Sequence, residues 1–216
     1  MKNNYDNVAR YYDFLSRIVF RTAQQDAQIA LLPFIRQNST VLIAGGGTGW
    51  ILEEMAKTCP AGLHIHYVEI SANMIAIAKE KQYQPHEVTF VNMAVEEFGR
   101  ELTATFDVII TPFLFDNFSQ ERIKPVFLHL HKMLRPGGQW LFTDFHYQQQ
   151  APLWQRVLLR SMYMFFRMIC RIEASALADI EPLFRDHHYS CLYEAFYFRK
   201  FIRTAVYGKD RDVNNC

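Results

Sequence analysis

The run Val41-Leu42-Ile43-Ala44, followed at once by Gly45-Gly46-Gly47-Thr48-Gly49, constrains the fold more than any other segment. Four consecutive apolar residues leave no polar face, so the run predicts a strand covered on both sides, as in the middle of a parallel sheet. The glycines predict a tight turn into a helix over 50–57, where a ligand meets backbone without Cβ atoms in the way. That helix start also carries the positive end of a dipole, which suits an anionic or polar ligand. The glycine spacing narrows the choice. A dinucleotide fingerprint needs a third glycine where Trp50 or Leu52 stands, and no Gly-Lys-Ser/Thr follows for a P-loop. The pattern that is met is G-x-G-x-G at Gly45, Gly47 and Gly49.

Strand and helix alternate after the loop. Strands are expected over 64–69, 88–91, 106–110 and 139–145, with helices over 72–81 and 120–134 between them. This rhythm predicts an α/β, doubly wound, mostly parallel seven-stranded sheet with helices on both faces. Before it, apolar positions Val8, Tyr12, Leu15 and Val19 recur at helical spacing within 5–35. After it come a long helix over 151–171, another over 176–187, and aromatic-rich strands over 189–197 and 200–207. With only Phe198 and Arg199 between them, the last two strands predict an antiparallel hairpin at the end of the sheet. No linker divides the chain, so residues 1–207 are read as one domain, with amino-terminal cap helices over 1–38 and a helical cover over 146–188. The polar tail 208–216 is expected to fray.

A chain of 216 residues, 50% hydrophobic, buries enough apolar surface to fold without disulfides or metal. Its balance of 23 Lys+Arg against 22 Asp+Glu, a net +1, argues against a main task of holding nucleic-acid phosphates. The cysteines Cys59, Cys170, Cys191 and Cys216 form no CxxC pair, and His187-His188 has no third ligand nearby, so no metal is expected. That cysteine spacing leads us to expect a reduced, cytoplasmic setting, and no secretory signal is expected, since no apolar segment backs Lys2. No stretch approaches the roughly 20 apolar residues of a membrane span.

Glu69 ends the second strand, 24 positions beyond Gly45. Neighbouring first and second strands would bring it beside the glycine loop, where a carboxylate can accept two hydrogen bonds from a ribose diol. The alternative is a solvated strand-end residue. Four segments together, the glycine loop, Val68-Glu69-Ile70-Ser71-Ala72-Asn73-Met74, Phe106-Asp107-Val108-Ile109 and the turn Leu134-Arg135-Pro136-Gly137-Gly138, resemble class I S-adenosylmethionine-dependent methyltransferases. The resemblance runs from about Val41 to Phe145. Asn7-Val8-Ala9-Arg10-Tyr11-Tyr12-Asp13 is similar to the leading helix of the small-molecule branch, which includes quinone-biosynthesis C-methyltransferases.

The resemblance implies S-adenosylmethionine as cofactor, with Ala44, Gly45, Gly46, Gly47 and Gly49 around its methionine part and Tyr12 at the leading helix. It implies that Glu69 holds the ribose, that Ile70 and Met74 pack on the adenine, that Met93 and Ala94 lie at its rim, and that Thr111 and Pro112 border the sulfonium. Two positions depart from the family. Ile43 stands where members commonly carry an acid two residues before the first glycine, and Met93 stands where they often carry an aspartate. Each change removes a charge-assisted contact, on the order of 1.5–3 kcal/mol. Asn92 or the backbone at Ala94 is a candidate replacement. A fold that has lost its cofactor is the rival reading; a nicotinamide-dependent oxidoreductase is disfavoured by the missing glycine. Thr111-Pro112-Phe113 also lacks the Asn/Asp-Pro-Pro-Tyr/Phe pattern of amino-group methylating DNA enzymes.

For a proton-bearing nucleophile the candidate bases are His146, at the carboxyl end of a strand, and Asp116 in Phe113-Leu114-Phe115-Asp116-Asn117-Phe118. Either could instead face solvent or help cap a helix. In the 153–172 segment Arg156, Arg160, Arg167 and Arg171 fall within an arc of about 60° on an otherwise apolar helix. That pattern predicts either a core-covering helix or a lid over an apolar, lipid-like acceptor with peripheral membrane contact. The aromatic share, 15%, is concentrated outside the 41–49 loop region and points to a ring-lined site for a small apolar or aromatic acceptor.

Overall fold

The computed structural model describes residue 20 and residues 22–146, 152–155 and 179–211. Its helices are α1 (Ala23–Ile29), α2 (Trp50–Thr58), α3 (Ala72–Lys79), α4 (Gln120–Met133) and α5 (Glu181–Asp186). Its strands are β1 (Thr40–Ala44), β2 (His64–Glu69), β3 (Glu87–Asn92), β4 (Phe106–Pro112), β5 (Leu134–Phe145), β6 (Tyr189–Tyr197) and β7 (Ile202–Lys209). Short 3-10 turns lie at Leu32–Phe34 and Phe115–Asn117. The leading segment through residue 19, Tyr12 included, and the arginine-striped segment 156–178 lie outside the described residues.

The seven strands form one sheet in the order β3-β2-β1-β4-β5-β7-β6. β3, β2, β1, β4 and β5 run parallel, β7 is antiparallel to β5, and β6 is antiparallel to β7 at the edge. This is the doubly wound sheet that the alternation predicts. Val41 to Ala44 are wholly buried because alternate residues feed two cores. Leu42 and Ala44 face a cluster with Ile109, Phe127, Trp140, Phe142 and Phe184, under α4 and α5. Val41 and Ile43 face the other, with Leu52, Met55, Ile75 and Leu141, under α2 and α3.

Four expectations change. The Leu134–Gly138 turn is a bulge inside β5: Phe106 pairs with Leu134 and Val108 with Gln139, so 135–138 loop out with Gly137 at φ +75°. The hairpin turn takes in Phe198 through Phe201, with Phe198, Arg199 and Lys200 all at positive φ, not the two residues the aromatic pattern suggested. The helix expected over 176–187 begins only at Glu181, within its described part, because Pro182 lacks the N–H that an interior position would donate and is tolerated only in the first turn. The tail does not fray at residue 208. Gly208 pairs with Gln139, and Lys209 Nζ donates to the carbonyls of His131 and Leu134 at 2.8 Å each, satisfying groups that the end of α4 leaves unpaired.

Candidate active site

The parallel registers bring the carboxyl ends of β1, β2, β4 and β5 to one edge: Ala44 stands opposite Val68, Ile43 opposite Ile110, and Pro112 opposite Thr143. Glu69 and the glycine loop meet there. Glu69 is buried, and its carboxylate accepts the Gly47 N–H at 3.0 Å and the Ser71 N–H at 2.9 Å. Ser71 in turn caps α3, its hydroxyl accepting the Met74 N–H at 3.2 Å. The strand-end acid is therefore built into the loop and is not solvated.

Each loop residue has a local reason. A Cβ on Gly46 would lie 2.2 Å from the ring of Tyr67, which is fully buried and donates its hydroxyl to the Gly47 carbonyl at 2.9 Å. Gly47 has φ +67° and open space where a Cβ would project, so its conformation favours glycine while nothing of the described protein occupies the volume beyond it. The loop donors are spent internally, Gly45 and Gly46 N–H on the Val68 carbonyl and Gly47 N–H on Glu69. Those three groups are thus not an open nest for a phosphate. Gly49 serves as N-cap of α2.

Around this centre Ile70 and Met93 are half-buried, while Ala44, Met74 and Ala94 are buried. Asn92 Nδ2 donates to the carbonyls of Glu69 and Ile70, 3.0 Å each, so it ties β3 to β2. Ile43 is wholly buried in the apolar cluster under α2, with no polar role open to it. Thr111 is also wholly buried; its hydroxyl accepts the Trp140 indole N–H at 2.9 Å, which directs it into the core, while Pro112 ends β4 beside it.

A tight turn follows β4. Phe113 has φ +49°, its N–H donating to the Thr143 carbonyl at 2.7 Å. Asp116 lies in the 3-10 turn and Ser119 takes the N-cap position of α4, so Asp116 is not the cap that the sequence left open. Asn117 Nδ2 donates to Asp116 Oδ1 at 2.7 Å. Behind the turn lies Asp144, an acid in the apolar run of β5, buried among Phe142 and Phe145. Burial and the Asp144 charge push the Asp116 carboxyl well above the usual carboxylate range; burial pushes Asp144 up to about 7 against the opposing pull of its N–H donors. His146 belongs elsewhere. Its N–H pairs with the Phe201 carbonyl, its ring lies 5.4 Å from that of Phe196, and burial followed by the Arg203 charge lowers its pKa. The remaining charges acting on it are Asp179, Glu194 and Glu181. The two candidate bases are thus on the same edge but in different neighbourhoods.

Tyr67, Asp144 and Leu114 are the contributors that sequence reasoning missed. A lone acid in Trp140-Leu141-Phe142-Thr143-Asp144-Phe145 was a visible signal for one of them. A third cluster, of Phe20, Ala27, Phe145, Phe201 and Ile202 with Phe113, Trp154 and Phe198 packed against it, gathers rings at the start of β7 and the end of β5.

Residues 41–138 match the family described as "Methyltransferase domain". The chain is 28% identical over 145 residues to the malonyl-[acyl-carrier protein] O-methyltransferase of Priestia megaterium, covering 67% of this chain and 51% of that one. It is 28% identical over 149 residues to the ubiquinone/menaquinone biosynthesis C-methyltransferase of Nitrobacter hamburgensis, covering 65% of this chain and 58% of that one. The chain thus spans between half and three-fifths of the length of these relatives. Among solved structures, the magnesium protoporphyrin IX methyltransferase of Synechocystis, determined with bound SAH, superposes with a TM-score of 0.68 at 18% identity, covering 95% of this chain and 97% of that one.

Proposed function

We propose that this chain, whose residues 41–138 match a methyltransferase domain family, is an S-adenosylmethionine-dependent methyltransferase acting on a small apolar or aromatic acceptor at O, N or C. The observation that carries the cofactor is Glu69, buried and held between Gly47 and Ser71 beside the open volume at Gly47. A carboxylate has acceptor capacity for a ribose diol in addition to two backbone N–H bonds. Ile70, Met74 and Met93 supply apolar surface for the adenine, and Gly45 to Gly47 supply backbone for the methionine part. The internal use of the loop donors disfavours a pyrophosphate, hence a dinucleotide. When bound, the cofactor supplies an electrophilic methyl group for an in-line displacement.

What the protein adds is approach geometry and, for a proton-bearing nucleophile, a base. Asp116 is the better supported base. It lies just after the carboxyl end of β4 in a half-exposed turn, and its raised carboxyl pKa makes it a stronger base than an ordinary carboxylate. His146, held by the hairpin, is the second candidate. The ring cluster of Phe20, Phe113, Phe145, Trp154 and Phe198 supports an apolar or aromatic acceptor. The arginine stripe in 153–172 keeps both of its sequence-based readings, a core-covering helix or a lid with peripheral membrane contact. Among the described residues no helix is long and apolar enough to cross a membrane.

Ile43 in the apolar core and Asn92 tied to strand-end carbonyls favour weak cofactor binding, and with it the second reading, a non-catalytic methyltransferase fold that binds the cofactor poorly or takes another ligand. Calorimetry with S-adenosylhomocysteine separates the two. Saturable binding is expected, and no heat at millimolar ligand would overturn the cofactor assignment.

A further inference from the structure

We propose that Asp144 is a positioning residue for methyl transfer: its one carboxylate fixes the Leu114–Asn117 turn so that Leu114 closes on the glycine loop while Asp116 is held beside it at the acceptor end. The inference rests on the methyltransferase reading for its purpose, but its geometry stands alone. Asp144 Oδ2 accepts the N–H groups of Phe115 at 3.0 Å and Asp116 at 3.3 Å, and Oδ1 accepts its neighbour Phe145 at 2.8 Å. Asn117 ties the same turn from the other side, donating to the carbonyls of Phe113 at 2.8 Å and Leu114 at 3.3 Å.

The turn has a consequence for the cofactor side. A Cβ on Gly45 would come within 2.9 Å of Leu114 Cδ1, so Leu114 rests directly on the first glycine of the loop. One path therefore runs from β5 through Asp144 and the turn to Leu114 and Gly45. A non-glycine residue at positive φ, Phe113, starts that turn, a conformation that surrounding structure must hold in place.

The setting of Asp144 explains why the clamp also governs Asp116. The titratable group acting on it is Asp116 on the turn; His146 lies two positions along β5, and Arg203 stands opposite on β7. The Arg203 guanidinium is engaged by Glu181 and Glu194, at 2.5 and 2.6 Å, and the inner face of α4 is apolar. Three N–H donors favour the ionised form at Asp144, leaving the neighbouring Asp116 to carry the higher proton affinity, the way two carboxyls in one site divide their roles.

The test compares wild type with Asp144→Asn and Leu114→Ala, each first shown folded by circular dichroism. Three quantities are read: S-adenosylhomocysteine affinity, hydrogen-exchange protection at the Phe115 and Asp116 amides, and the Asp116 carboxyl midpoint by carbon-13 NMR titration. In Asp144→Asn, protection at the two amides should fall at least tenfold, the Asp116 midpoint should drop by a unit or more, and ligand affinity should weaken several-fold. Leu114→Ala should weaken affinity similarly while leaving the Asp116 midpoint at its wild-type value. Unchanged protection and midpoint in Asp144→Asn would overturn the proposal. If wild type itself fails to bind the ligand, the methyltransferase reading fails, and the exchange and titration measurements still decide whether Asp144 is the clamp.

Discussion

Glu69 ends β2 and Asp144 lies one residue before the end of β5, and both accept backbone N–H groups at the same edge of the sheet, two in the first case and three in the second. The donors differ in kind. Those of Glu69 come from the glycine loop and the cap of α3, so this acid joins two strand ends into one backbone cradle. Those of Asp144 come from its own neighbour and from a turn that carries a second acid, so this acid is held in a cluster of side-chain charge. The comparison teaches that the half of the edge proposed for the cofactor is organised by backbone conformation, and the half proposed for the acceptor by a side-chain carboxylate that gathers a turn.

The largest effect expected on the cofactor half comes from Gly46→Ala. The new methyl would overlap the ring of Tyr67, which is fully buried, and overpacking of this kind costs about 3 kcal/mol. Urea unfolding measures it; an unchanged midpoint would mean the loop is not braced by Tyr67.

On the acceptor half the corresponding signature is a pH dependence. Because burial raises the Asp144 carboxyl from 3.8 to about 7, the folded state keeps a proton that the unfolded state releases. Its contribution to stability is therefore greatest below pH 4, declines as pH rises towards 7, and levels off above that, with a slope of at most about 1.4 kcal/mol per unit. The stability difference between wild type and Asp144→Asn, from denaturation at several pH values, should fall across that window. A difference that rises with pH would show that the N–H donors outweigh burial.

Gly47→Ala returns to the backbone side with a smaller cost. A residue at φ +67° costs about 1–2 kcal/mol, but the Cβ meets nothing, so stability should drop less than for Gly46→Ala while S-adenosylhomocysteine affinity drops more than tenfold. Affinity equal to wild type would remove the volume at Gly47 from the cofactor site. The smallest effect is reserved for Arg135→Ala. The Arg135–Asp107 pair, at 2.7 Å, is partly exposed to solvent, and its loss should cost less than about 1 kcal/mol by the same denaturation measurement.

Much of the first half of the edge was legible because its determinants are local. An apolar tetrapeptide, glycines at alternate positions and an acid at a strand end are each readable within a few residues, and β2 runs over the expected 64–69. The bulge at 135–138 was not, since its Pro-Gly-Gly reads as a turn and only pairing with β4 absorbs it into a strand. Nor was the role of Lys209, which depends on carbonyls more than 70 residues away.

By itself the sequence determined the alternation of elements, the parallel sheet and the nearness of Glu69 to the glycine loop, because periodicity and turn chemistry act over short distances. Only the tertiary structure decided that Gly47 and Ser71 share the Glu69 carboxylate, that Tyr67 makes Gly46 obligatory, and that Asp144 stands behind Asp116. Those relations are contacts between side chains and backbone far apart in the chain, set by register and packing, and no spacing in a single sequence encodes them.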